Sequence, residues 1–151
     1  MRTIKNILVP VDIMEDNAFF VEYAKLMAEQ FNAKITLLYA RPLLDRFYDV
    51  YLTDEIIEQI KEDSKQRALQ ELEKIAKEQL DGIDVFIKLR RGQPQDLILE
   101  MTESTEFDMV VMGKHCRRGV ERVLFGSVAN RVIKQSSAPV LIIHPDECKI
   151  G

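Results

Sequence analysis

The chain has 151 residues, enough for one domain with its own hydrophobic core but hardly for two. Its net charge of −4 argues against a general nucleic-acid binder, and no apolar run approaches the roughly 20 residues of a membrane span. An apolar strand begins so early that it leaves no room for a signal peptide. The two cysteines, Cys116 and Cys148, make no disulfide framework. We therefore expect one cytoplasmic domain over residues 1–151, with no nucleic-acid or membrane partner.

The first third of the chain predicts a strand, a helix and a second strand. Residues 4–11 form a short apolar run typical of a strand buried on both faces, and Pro10 marks its end. Asp16 or Asn17 can cap the helix that follows. Residues 35–40 predict the second strand. The predicted buried stripe of the helix is Phe20, Tyr23, Ala24, Met27, Ala28 and Phe31.

The middle of the chain predicts a loop, a long helix and a third strand. Residues 41–52 have no clean period and predict a long loop, and Thr53 is a suitable cap for a helix to about Leu80. Residues 84–89 predict the strand, and Pro94 suits the first turn of the next helix. The predicted buried stripe of the long helix is Ile56, Ile57, Ile60, Ser64, Ala68, Leu69, Leu72, Ile75 and Ala76.

The last third completes an alternating pattern. Residues 107–112 predict the fourth strand, residues 127–135 a helix and residues 139–144 the fifth strand. Strands that alternate with helices predict an α/β fold: an open five-stranded parallel sheet with helices on both faces. The expected strand order is 3-2-1-4-5, a Rossmann-like arrangement. A ligand in such a sheet binds at the carboxyl ends of the strands where the order reverses, which here means strands one and four.

A glycine-bearing segment follows the fourth strand. The strand ends in Gly113, a basic loop contains Gly119, and Gly126 with Ser127 opens a helix. Glycines let a ligand approach the backbone, and free N–H groups at a helix start favour an anion, so the segment predicts a phosphate cradle. The alternative is that these are ordinary turn glycines. The segment is not a P-loop, because Gly119 is not followed by Lys and then Ser or Thr.

Three polar residues near this edge each have two interpretations. Ser127 either caps its helix or contacts phosphate, and Asp12 either hydrogen-bonds a ribose hydroxyl or caps the next turn. His115 either contacts phosphate or is simply exposed. No metal-ligand spacing and no catalytic triad stand out, so we expect no resident metal site and assign no catalytic residue.

Taken together, the motifs resemble the universal stress protein family over nearly the whole length. The resemblance rests on five segments in order: residues 7–12 (ILVPVD), 92–94 (GQP), 108–113 (DMVVMG), 126–129 (GSVA) and 138–143 (APVLII). Nucleotide-binding members carry glycine, two residues, glycine, nine residues, then glycine with Ser or Thr. Gly113, Gly126 and Ser127 match this motif, whereas Cys116 replaces its second glycine.

The resemblance implies an adenine-nucleotide site and a homodimer. The last strand, Val140 to Ile143, would pair across a two-fold axis. ATP would lie across the ends of strands one and four, and Mg²⁺ is compatible with it because this ion bridges phosphate oxygens. The residues implied in binding are Pro10, Val11, Asp12, Ala40, Met112, Gly113, His115, Cys116, Gly126, Ser127 and Val128.

Three functional hypotheses follow from these features. The first is an ATP-binding stress or regulatory protein with little or no catalysis. The second is a dimeric interaction module of the same family without nucleotide, because a Cβ at Cys116 costs about 1 kcal/mol or more where a glycine conformation is required. The third is a slow ATPase, which ranks last because only Asp12 or His115 is available as a general base. A receiver domain is disfavoured because strand three is followed by Arg90-Arg91-Gly92 rather than by an acidic residue.

Overall fold

A computed structural model describes residues 2–42, 52–114 and 126–145, and these contain five strands and four helices. The predicted loop at residues 41–52 lies mostly outside this part of the chain. In chain order the elements are β1 (Asn6–Pro10), α1 (Ala18–Phe31), β2 (Lys34–Arg41), α2 (Asp54–Gln79), β3 (Val85–Arg91), α3 (Pro94–Glu103), β4 (Met109–Gly113), α4 (Ser127–Gln135) and β5 (Val140–Ile143).

The five strands form one parallel sheet in the order β3-β2-β1-β4-β5, which confirms the predicted fold class. In the centre, Ile7 of β1 is in register with Ile35 of β2 on one side and with Met109 of β4 on the other. The strand order therefore reverses between β1 and β4. Since all strands run the same way, their carboxyl ends share one edge of the sheet.

Alternating side chains of the central strands fill two separate cores. Ile7 and Val9 of β1 belong to a core that also contains Phe20 of α1 and Leu72 of α2. Leu8, between them, belongs to the other core, to which α3 contributes Ile98 and α4 contributes Val132. Burying each aliphatic side chain stabilises the fold by about 1.5–3 kcal/mol. The period-two pattern thus places α1 and α2 on one face and α3 and α4 on the other.

Asp108 fixes where β1 and β4 begin beside each other. Its carboxylate oxygen Oδ2 accepts hydrogen bonds from the backbone N–H groups of Lys5 and Asn6, both at 2.9 Å. The predicted β4 started at Phe107, two residues early. In the structure β4 starts at Met109, because the side chain of Asp108, directly before it, binds the backbone of Lys5 and Asn6 at the start of β1.

The predicted stripe of α2 is right in its second half, whereas in its first half only Ile57 is buried as predicted. Thr53 caps the helix as predicted, with its hydroxyl accepting from the N–H of Ile56 at 3.3 Å. However, Ile56 and Ile60 are 48% and 41% exposed, and Ser64 is exposed too. The reason is length: 26 residues of helix extend about 39 Å, whereas seven residues of β3 extend about 23 Å. The buried residues are Ile57, Ala68, Leu72 and Ile75.

The stripe of α1 also needs a correction, because Tyr23 and Phe31 are 42% and 47% exposed while Val21 is fully buried. The helix packs over the sheet through Phe20, Val21, Ala24 and Ala28, so its contact face is rotated toward Val21 from the predicted stripe. Among the described residues, no helix combines the length and the apolar character that crossing a membrane requires.

Candidate functional site

The turn after β1 is organised around Asp12. Its carboxylate oxygen Oδ1 accepts from the N–H of Met14 at 2.9 Å, and its carbonyl accepts from the N–H of Glu15 at 3.1 Å. Asp12 itself is exposed at the carboxyl edge of the sheet. The predicted capping of the next turn is therefore confirmed. The ribose-binding role stays a prediction, and it is compatible with this geometry because the carboxylate is accessible.

Asn17 holds this turn against the start of α1. Its side chain is buried, with 5% exposure, and its amide nitrogen donates to the carbonyls of Asp12 and Glu15 at 2.8 and 3.0 Å. Its amide oxygen accepts from the N–H of Asp12 at 3.2 Å. The expected helix-capping bond from Asn17 is absent, and Asp16 instead accepts from the N–H of Ala18 at 2.9 Å. Asn17 is thus a positioning residue that the sequence pattern indicated only as a cap.

Packing leaves no room for any residue other than glycine at position 113, the end of β4. A Cβ added there would lie 2.6 Å from Cζ of Phe19 and would also collide with the ring of Phe20. These two rings meet edge to face, with centroids 5.2 Å apart. The absence of a side chain at Gly113 therefore lets α1 approach β4 closely, whatever further role the glycine has.

Lys114 continues the ladder one step beyond β4. Its N–H donates to the carbonyl of Ile143 at 2.9 Å, and its side chain is only 1% exposed. Lys114 is thus one further residue, after the end of β4, that is hydrogen-bonded to β5. His115 and Cys116 follow directly and lie outside the described residues, so their predicted contacts with phosphate stay predictions.

The chain re-enters the described part at the start of α4. Gly126 is the N-cap residue and Ser127 the first helical residue. Ser127 is exposed and makes no capping bond within the described residues, so the predicted capping by this hydroxyl is wrong: Gly126, rather than Ser127, occupies the N-cap position. The first turn contains no acidic residue, which keeps it favourable for an anion.

The remaining predicted site residues divide by burial. Val11 and Met112 are 7% and 5% exposed and belong to the two cores, so they offer backbone rather than side chain to a ligand. Pro10 and Ala40 are half-buried at the ends of β1 and β2, and Val128 is half-buried against the core beneath α4.

Tyr39 is a further residue at this edge, which the sequence analysis did not select. It is half-buried near the end of β2. Burial raises the pKa of its phenol above the usual 10.0; the negative charge of Asp12 also raises this pKa, and Arg41 lowers it. The phenol is therefore under the influence of two opposite charges, one on the turn after β1 and one at the end of β2. The signal available in the sequence was an aromatic residue just before a predicted strand end.

Two cavities lie away from the predicted site residues. One, of about 410 Å³, is at the opposite edge of the sheet, beside Lys5 and Phe31. The other, of about 270 Å³, lies between the ends of β2 and β3 and the helix α2. No group of three or more His, Cys, Asp or Glu suited to a metal ion occurs within the described ranges.

Comparison with known proteins extends the structural argument. Residues 3–144 match the model of the universal stress protein family. A relative, universal stress protein MJ0531 from Methanocaldococcus jannaschii, is 32% identical over 143 residues, covering 92% of this chain and 81% of the relative.

Solved structures share the fold of this chain. The structure of the hypothetical protein MJ0577 matches with a TM-score of 0.72 at 26% identity, covering 96% of this chain and 99% of that one. A universal stress protein from Archaeoglobus fulgidus in complex with dAMP matches with a TM-score of 0.57 at 24% identity, covering 92% and 97%. The chain therefore belongs to the universal stress protein family.

Proposed function

We propose that the protein binds an adenine nucleotide, ATP in the first place, at the carboxyl ends of β1 and β4. The observation that carries this proposal is that β1 and β4 are neighbours and end in an exposed Asp12 turn and in the segment leading to α4. A parallel sheet binds its ligands at such a reversal of strand order. The dAMP complex of the Archaeoglobus fulgidus protein supports an adenine nucleotide as the ligand.

The residues at this edge suit the two ends of a nucleotide. The exposed carboxylate of Asp12 accepts hydrogen bonds, which fits the hydroxyls of a ribose. The first turn of α4, at Gly126 and Ser127, offers backbone N–H groups and a hydroxyl and contains no acidic residue, which fits phosphate. Val11 and Met112 contribute backbone behind them. His115 and Cys116 complete the proposed phosphate loop.

The proposed role is regulatory, with little or no catalysis. Asp12 accepts through Oδ1 from the N–H of Met14, so only Oδ2 is left to act as a general base, and His115 is the other candidate. Mg²⁺, when it accompanies ATP, would be held mainly by the phosphates. A slow ATPase is therefore the weaker proposal.

The proposed assembly is a homodimer joined along β5. This strand is at the edge of the sheet and its four aliphatic side chains are all half-buried. The carbonyls of Pro139 and Ile143 accept from Val110 of β4 and from Lys114 directly after it. Backbone groups alternate in direction along a strand, so those of Val140 and Ile142 point to the outer edge and can pair with a second copy.

Calorimetric titration of ATP into the purified protein, with Asp12→Asn as the variant, tests the nucleotide site. Asparagine keeps Oδ1 for the N–H of Met14 and removes the charge. Since hydrogen bonds to a charged group contribute about 1.5–3 kcal/mol, we expect at least tenfold weaker binding. The matched control is Asp84→Asn, at an exposed residue before β3. This variant should bind ATP as tightly as the wild type does.

A second variant separates nucleotide binding from the nucleotide-free alternative. Protein denatured after purification, and again after incubation with ATP and desalting, should release adenine nucleotide on an ion-exchange column. If only Cys116→Gly releases nucleotide, the nucleotide-free interaction module is the correct function. If neither protein binds, adenine-nucleotide binding at this edge is wrong.

A further inference from the structure

Two arginines stand side by side at the carboxyl ends of β2 and β3. Arg41 and Arg91 are register partners, so their side chains leave the same face of the sheet. The Nη2 atom of Arg41 donates to the carbonyl of Lys61 on α2 at 2.8 Å, which identifies that face as the one α2 covers. Like charges on directly neighbouring strands destabilise a sheet unless something compensates them.

The helix α2 adds more positive charge to the same place. Lys61 and Lys65, one turn apart, line the cavity of about 270 Å³ together with both arginines, Glu58 and Glu62. Four cations thus face two carboxylates. The carboxylates are already used along their own helix: Glu58 lies 3.7 Å from Nζ of Lys61, and Glu62 accepts from Gln66 at 3.1 Å.

The remaining cations keep donor capacity that the described residues do not use. None of the ion pairs among these residues involves Arg41, Lys65 or Arg91. The Nε atom of Arg41 is buried and has no hydrogen-bond partner within the described part of the chain. A buried donor without a partner costs about 1–3 kcal/mol, so an acceptor entering the cavity would relieve it. The site is therefore prepared for an anion.

We propose that this cavity binds a small phosphate-bearing anion, and we define it as the β2–β3 anion pocket: Arg41, Glu58, Lys61, Glu62, Lys65 and Arg91. Guanidinium groups match phosphate oxygens in geometry as well as charge, and a dianion balances the excess of two positive charges. The volume is below the roughly 300–1,000 Å³ of sites for drug-sized ligands, which favours a phosphate or pyrophosphate group over a whole nucleotide.

The β2–β3 anion pocket is separate from the proposed nucleotide site. Ala40, at that site, is in register with Arg90, and both precede the pocket arginines by one residue, which places their side chains on the opposite face of the sheet. None of the residues proposed to contact the nucleotide lines the pocket. The inference therefore does not depend on nucleotide binding.

Calorimetric titration with inorganic pyrophosphate at constant ionic strength, maintained with chloride, tests the proposal. The variants are Lys65→Gln and Arg91→Gln, which leave the bond from Arg41 to α2 intact. Each should weaken pyrophosphate binding about fivefold or more, because each removes a charge-assisted hydrogen bond. The control is Lys74→Gln, which removes the same charge from an exposed position further along α2.

Each result of these titrations either supports or overturns the β2–β3 anion pocket. Loss of affinity in Lys65→Gln and Arg91→Gln, with Lys74→Gln unchanged, supports the pocket even if ATP does not bind the protein. Absence of pyrophosphate binding to the wild type overturns it. Unchanged affinity in both pocket variants, or an equal loss in Lys74→Gln, also overturns it. Melting temperatures of all variants show whether the fold is kept.

Discussion

The two edge strands of the sheet have opposite chemistry. β5 consists of Val140, Leu141, Ile142 and Ile143, whereas β3 carries Lys88, Arg90 and Arg91. Lys88 is also paired with Glu106 across 3.4 Å. Charges along an edge prevent pairing with another chain, and an aliphatic edge does not. The fold therefore protects its β3 edge by charge and leaves the β5 edge without such protection, which is why we propose the dimer at β5.

Giving β5 the charged chemistry of β3 should strongly weaken the proposed dimer. Ile142→Lys places a charge in the middle of the proposed dimer interface, where it would face its own copy across a two-fold axis. Like charges there cost several kcal/mol, so we expect the dimer dissociation constant to rise about a hundredfold or more. Sedimentation velocity over a range of concentrations measures this change.

The matched variant on the other edge is Phe86→Lys, since Phe86 is 49% exposed on β3. It should leave the oligomeric state unchanged. A wild-type protein that is monomeric at all concentrations would exclude the proposed dimer. A dimer that dissociates in Phe86→Lys instead would place the interface at the β3 edge.

Two glycines, one at the end of β4 and one before β3, differ in the space around them. Gly113 at the end of β4 has no room for a methyl group, whereas a Cβ on Gly82, in the turn before β3, would meet nothing within 4 Å. Gly113→Ala should lower the free energy of unfolding by about 1–3 kcal/mol through overpacking. Gly82→Ala should cost about 1–2 kcal/mol through its φ of +82° alone.

Urea denaturation combined with a double-mutant cycle separates the two causes. Phe19→Leu makes room beside Gly113, so it should recover part of the loss in Gly113→Ala and none of the loss in Gly82→Ala. If Phe19→Leu and Gly113→Ala are additive, steric contact with α1 is not what Gly113 provides.

The fold could be predicted from the sequence because it follows from local patterns of apolar and polar residues. Apolar runs alternating with amphipathic stretches predicted five parallel strands, their order and the bounds Ser127–Gln135 of α4. The exposure of Ile56 and Ile60 could not be predicted, because helical spacing shows which side of α2 is apolar but not where the sheet beneath it ends.

The site was less predictable because its contacts join distant residues. Asp12 and Gly113 were identified as ends of neighbouring strands, and the structure places them so. However, the rings of Phe19 and Phe20 that explain Gly113 are far away in sequence, as are Arg41 and Arg91, whose proximity depends on strand register. Periodicity within one element gives no information on register between two.

A weaker effect is expected from the titration of Tyr39, near the end of β2. Burial raises its pKa above 10.0, Asp12 raises it further, and Arg41 lowers it. Below pH 10 the phenol is protonated in both the folded and the unfolded chain. As the pH rises, the unfolded chain loses its proton first, so the stability contributed by the protonated phenol is lost as the pH passes through the folded pKa.

Tyr39→Phe should therefore lose less stability than the wild type between pH 10 and 11. Urea denaturation at stepped pH values measures this, with Tyr23→Phe as the control on an exposed tyrosine. Asp12→Asn should move the phenol titration, followed by ultraviolet absorbance, to lower pH, and Arg41→Gln should move it to higher pH. If neither variant moves the titration, Tyr39 responds only to its burial, and the opposed charges of Asp12 and Arg41 do not reach it.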